Sequence, residues 1–136
     1  MLEKTDVNFP AIPYYSSKIS AGFPFPADDN ITGNLDLNKL LVKHEAATFF
    51  MQVKSDAMKD AGIWSGDILV VDRSLSAKHG RIVIVAIGED LLIRRLYNLR
   101  NKVLLMPENK EYEPMEINHD IESVIWGVVN YVIHKV

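Results

Sequence analysis

The sequence predicts a mostly β fold of minor α+β character, with a short front helix and an extended N-terminal arm. Three observations point there. Six runs rich in Val, Ile, Leu and aromatics crowd the chain after His44. Helical periodicity is weak over that span, apart from one turn near residues 56–61. Four of the six prolines, Pro10, Pro13, Pro24 and Pro26, fall in the first 26 residues. Proline fixes φ and drives its predecessor toward extended geometry.

The elements follow in order. Residues 8–33 read as an extended arm, with polar turn signals at Asp28-Asp29-Asn30 and Gly33-Asn34. The arm also carries Phe9, Ile12, Tyr14, Tyr15, Ile19, Phe23 and Phe25. That is too apolar for a solvated linker, so it is expected to pack on its own body or on another copy. The chain divides into an arm, 1–34, and a body, 35–136. Asp36 is placed to N-cap a short helix with Leu37, Leu40 and Leu41 on one face. Strands are expected over 48–54, 67–72, 81–87, 91–97, 102–106 and 123–134. Gly88-Glu89-Asp90 and residues 98–101 mark hairpin turns.

Composition narrows the function. The chain has 136 residues, 48% hydrophobic and 24% charged, enough for one domain with a core that needs no staples. There are no cysteines, which excludes a disulfide scaffold, a cysteine nucleophile and a Cys-based zinc site. Fifteen Lys and Arg against 18 Asp and Glu give a net charge of −3, so direct nucleic-acid binding is not expected. The longest unbroken apolar run, Ile82 to Ile87, has six residues, far short of the ~20 of a membrane span. Glu3, Lys4 and Asp6 break up the N-terminus, which does not read as a signal peptide. A cytoplasmic location without membrane association is expected.

His44, His79, His119 and His134 are scattered without metal-ligand spacing. They read as solvated or core-edge side chains, and neither a metal nor a cofactor is expected. No glycine loop suited to phosphate is present. Asp56 and Asp60 fit one face of a turn, a pattern more common on solvated turns than at catalytic sites.

Several motifs stand in a specific order. They are Lys54-Ser55-Asp56-Ala57-Met58, then Asp60-Ala61-Gly62-Ile63, then Ser65-Gly66-Asp67-Ile68-Leu69-Val70-Val71-Asp72. His79-Gly80, Ile93-Arg94-Arg95-Leu96, Met106-Pro107-Glu108-Asn109 with Tyr112 and Pro114, and Ile125-Trp126-Gly127-Val128-Val129 follow. This series resembles the LexA/UmuD family of self-cleaving serine peptidases, from about Ser20 to Val136. Upstream, Ser20-Ala21-Gly22-Phe23-Pro24 resembles the family's self-cleavage site, with the cut between Ala21 and Gly22. Leu35-Asp36-Leu37-Asn38, Ala47-Thr48-Phe49-Phe50 and an arm too short for a DNA-binding helix-turn-helix point to the UmuD branch.

That resemblance implies a LexA/UmuD-type β-fold, a Ser–Lys dyad, a homodimer, and a role in SOS mutagenesis. In that role the chain is cut at a RecA filament and then assists a Y-family translesion polymerase. A Ser–Lys dyad works because a buried neutral lysine takes the serine proton. Here the nucleophile position is Ala57 and the base position is Arg94, whose guanidinium is not deprotonated in proteins. Ser55 replaces the glycine before Asp56, and Asp56 and Met58 keep the frame. If the strand from 48 ran on, Ser55 and Ala57 would share a face about 7 Å apart, so Ser55 would miss a base aimed at position 57. Lys54 and Lys59 read as snorkelling surface cations. Three departures favour natural drift over an introduced change. A self-cleaving regulator that has lost its dyad and a non-enzymatic dimeric interaction module both remain open.

Overall fold

The computed structural model describes residues 12–15, 19, 31–100, 102–118 and 120–136. The expected cleavage pair, Ala21 and Gly22, and His119 lie outside them. The chain separates into two units, Met1–Leu40 and Leu41–Val136.

In the first unit, β1 (Pro13–Tyr15) pairs antiparallel with β2 (Ile31–Asn34), with Tyr14 opposite Gly33. The Leu35 N–H extends that ribbon by donating to the Ile12 carbonyl at 3.1 Å. Part of the expected arm is therefore a paired ribbon. Helix α1 (Leu37–Leu41) follows. Asp36 Oδ1 accepts the N–H groups of Asn38 at 3.0 Å and Lys39 at 3.4 Å, as an N-cap should. Leu37 and Leu40 on that helix are exposed, and Leu41 is half-buried.

The second unit is built on one antiparallel sheet. Its strands are β3 (Thr48–Gln52), β4 (Ile68–Asp72), β5 (Ile82–Ile87), β6 (Asp90–Leu99), β7 (Lys102–Met106), β8 (Met115–Ile117) and β9 (Ile125–Ile133). They lie in the order β3-β4-β9-β5-β6-β7-β8. The last strand in sequence thus sits at the centre, paired to β4 on one side and β5 on the other.

Successive side chains of a strand point to opposite faces, and here both faces are covered. Ile84, Ile93, Leu69, Val71 and Val129 pack in one core cluster with Val53, Met58 and Ile63. Val83, Val85, Leu96, Leu105, Ile117 and Val128 form a second. Double burial explains why β4 and β5 read as continuous apolar runs rather than alternating ones.

Two register shifts bend β9, one against β4 at Val70/Val71 and one against β5 at Ile84/Val85. Gly127 lies in this region, where an added Cβ would stand 2.5 Å from Val71 Cγ1. β4 is bracketed by two buried carboxylates. Asp67 accepts the Trp64 N–H at 2.9 Å and meets His134 Nδ1 at 2.6 Å. Asp72 accepts from Ser74 Oγ at 2.6 Å and from its N–H at 2.8 Å, and meets His44 Nδ1 at 2.6 Å. Among the described residues, no helix is long and apolar enough to cross a membrane.

Candidate functional site

The segment from Ser55 to Met58 does not continue β3, which stops at Gln52. Val53 instead ties the chain sideways. Its N–H donates to the Asp67 carbonyl and its carbonyl accepts the Gly66 N–H, both at 2.8 Å. The chain then turns, and a short 3-10 turn over Lys59–Ala61 ends at Gly62, with φ of +81°. Such a φ suits glycine because it carries no Cβ.

This geometry corrects the extended-strand spacing expected for Ser55 and Ala57. The Ala57 N–H donates to Ser55 Oγ at 3.0 Å, a bond within a turn that a strand would not allow. Ser55 therefore uses its oxygen to fix the turn. Ala57 is fully buried and Met58 nearly so, with Met58 anchored in the first core cluster.

A second segment, entering from β7, holds the turn from the other side. The Glu108 N–H donates to the Ala57 carbonyl at 2.8 Å, and the Asp60 N–H donates to the Glu108 carbonyl at 2.9 Å. Buried Asn109 donates through Nδ2 to the Asp56 carbonyl at 2.9 Å, and its Oδ1 accepts the Glu111 N–H at 3.0 Å. Tyr112 donates its hydroxyl to Asp56 Oδ1 at 2.6 Å. The Met106-Pro107-Glu108-Asn109 motif and the Ser55–Met58 motif are thus two halves of one hydrogen-bonded frame.

Strand β6 supplies the cation. Arg94 is partly buried; Nη1 donates to the Ile93 carbonyl at 2.7 Å. Its guanidinium carbon lies 5.6 Å from the Tyr112 ring centroid, within cation–π range. A cleft of about 260 Å³ is lined by Val53, Lys54, Ser55, Leu69, Arg94 and Tyr112 among others. So Ser55 and Arg94 share a cleft, with Asp56 joined to it through Tyr112. The Ala57 methyl is sealed behind, and Met58 belongs to the core.

The electrostatics follow from these contacts. The Tyr112 hydroxyl holds the Asp56 carboxyl below the usual carboxylate range, against the opposing effect of burial and with lesser help from its own backbone N–H and Lys59. Reciprocally, Asp56 pushes the Tyr112 phenol above its ordinary value, while Ser55 opposes this. Burial pulls the Arg94 guanidinium down, though it stays the conjugate acid near neutrality. Position 57 offers no hydroxyl, and position 94 offers no group able to accept a proton. Among the described residues, no group of three His, Cys, Asp or Glu is placed to hold a metal.

Adjacent Arg95 goes elsewhere. Its Nε donates to Glu108 Oε1 and its Nη1 to the Gly80 carbonyl, both at 2.7 Å. It lines a larger cavity of about 570 Å³ with Lys43, His44, Asp72, Arg81 and Tyr131. The sequence marked Glu108, Asn109 and Tyr112 only as motif residues, without their bonds to the 56–60 turn. It gave no signal for the pairs of His44 with Asp72 and His134 with Asp67.

The stitched Ser55–Met58 turn and the Arg94 cation thus meet at one cleft on a single antiparallel β-sheet domain. Residues 13–130 match the family described as Peptidase S24-like, and the chain belongs to that family as a UmuD-like member of the LexA/UmuD group. It is 46% identical over 122 residues to Protein MucA of Salmonella typhimurium, covering 89% of this chain and 83% of that protein. Protein ImpA of Escherichia coli is 38% identical over 123 residues, covering 90% of this chain and 83% of that one. The LexA repressor of Hahella chejuensis is 38% identical over 117 residues, covering 82% of this chain and 58% of the repressor.

Proposed function

We propose that this chain is a UmuD-like SOS mutagenesis protein, an accessory subunit of a Y-family translesion polymerase that does not cut itself. What supports this reading is a hydrogen-bonded Ser55–Met58 turn beside a cleft in which no serine stands at position 57 and no lysine at position 94. The Ser55–Met58 turn is bonded to Glu108, Asn109 and Tyr112, while Ala57 and Arg94 stand where the resemblance to the LexA/UmuD family puts the nucleophile and the base. A frame maintained without its chemistry fits a protein used for its surfaces. In this role the chain acts as a cytoplasmic homodimer whose partners are a RecA filament and the polymerase catalytic subunit. The same observation supports the second reading, a purely non-enzymatic dimeric interaction module.

The test is the mass of the purified full chain after incubation with RecA filaments on single-stranded DNA, and separately at alkaline pH. The intact mass is expected in both. Loss of residues 1–21 would contradict the proposal.

A further inference from the structure

The substitution at position 94 gives the cleft a property that a dyad lysine would not. Arg94 has no carboxylate partner among the described residues, and its one hydrogen bond to protein goes to the Ile93 carbonyl. A guanidinium carries five N–H donors in a planar fork that matches a carboxylate edge. Leaving such a group partly buried without an anion is costly. Burial lowers the pKa of the guanidinium, the facing Tyr112 opposes this, and no Asp or Glu among the described residues pairs with it.

The rest of the cleft agrees. No Asp or Glu lines it, and Lys54 adds a second cation. Its walls are apolar, from Met51, Val53, Leu69, Ile84 and Ile93. β7 covers β6 only from Arg95 to Leu99. Residues 90–94 therefore keep one ladder edge open among the described residues, an edge suited to an extended chain. A volume of about 260 Å³ falls just below the roughly 300–1,000 Å³ of ligand pockets, which suits the end of a chain rather than a folded element.

We propose that this cleft receives the free C-terminal carboxylate of an extended apolar peptide, with the Arg94 guanidinium as the carboxylate's partner. The planar fork favours a carboxylate, and the apolar walls favour aliphatic residues before it. The proposal stands apart from the polymerase role, which neither requires it nor fails with it.

The test titrates the full chain with acetyl-Ile-Val-Ala bearing a free carboxylate, and with the same peptide as its C-terminal amide. Amide shifts by NMR give both affinities without any variant. The free acid should bind about tenfold tighter or more, the worth of one charge-assisted hydrogen bond. Arg94→Gln should erase that preference, bringing acid and amide to the same affinity, and Arg94→Lys should keep part of it. Equal binding of acid and amide, no binding of either at millimolar peptide, or an intact preference in Arg94→Gln would overturn the proposal. A preference for an amidated peptide ending in Glu over the free-acid peptide would overturn it too.

Discussion

Tyr112 donates its hydroxyl to Asp56 Oδ1 at 2.6 Å across 56 positions of sequence. That bond joins the turn that carries Ala57 to the segment after β7, and it sets the Tyr112 ring under Arg94. It also lowers the Asp56 carboxyl below its usual range. Tyr112→Phe keeps the ring and removes the donor. The Asp56 carboxyl should then titrate higher than it does beside the Tyr112 hydroxyl. Carboxyl-carbon NMR across the acid range checks this, and an unmoved Asp56 would show that Tyr112 is not its main partner.

Gly127 tests the packing of the central strand. A Cβ there would stand 2.5 Å from Val71 Cγ1, and Val71 is fully buried. Gly127→Ala should therefore destabilise the domain by about 1–3 kcal/mol, as overpacking does. Adding Val71→Ala should recover part of that loss, since the two sites touch. Denaturant midpoints measure both. An unchanged midpoint in Gly127→Ala would mean that β9 yields more easily than its pairings suggest.

Asp67 and Asp72 set the acid limit of stability. Burial raises each carboxyl, but hydrogen bonds outweigh it. Asp67 is held down by the Trp64 N–H and His134, and Asp72 by Ser74 and His44. A carboxyl whose folded value is lowered stabilises the fold above its unfolded value of about 3.9. That contribution is lost as pH falls through the folded value, because the unfolded chain binds the proton first. Unfolding free energy should drop from about pH 5 downward, and Asp67→Asn or Asp72→Asn should flatten the drop. An unaltered acid slope in both variants would place the sensitivity elsewhere.

The sequence carried the sheet better than it carried the site's bonds. β4 and β5 were legible because strands buried on both faces leave continuous apolar runs, and β6, β7 and β9 because runs of β-branched, aliphatic and aromatic residues stand between turn signals. β1, β2 and β8 have only three or four residues each, too few to show a period. The motif order placed Ser55, Asp56, Ala57 and Arg94, but not the bonds of Glu108, Asn109 and Tyr112 to that turn. Such bonds depend on tertiary approach, which no local pattern encodes. The pairs of His44 with Asp72 and His134 with Asp67 span 28 and 67 positions and were invisible for the same reason. The 7 Å spacing of Ser55 and Ala57 failed because β3 ends at Gln52 and the chain turns.

If positions 57 and 94 hold the lost nucleophile and base, restoring both side chains should restore self-cleavage even with Ser55 in place. The most direct measurement is the mass of three variants over time at rising pH. Ala57→Ser adds a nucleophile with nothing to take its proton, and Arg94→Lys adds a base with nothing to attack, so both should stay essentially uncut. The double variant should lose residues 1–21 by slow cleavage between Ala21 and Gly22, faster as pH rises toward the lysine pKa. The gain should be non-additive, because dyad members act as a unit. A double variant that stays intact, or Ala57→Ser alone cutting as fast as the pair, would contradict the account.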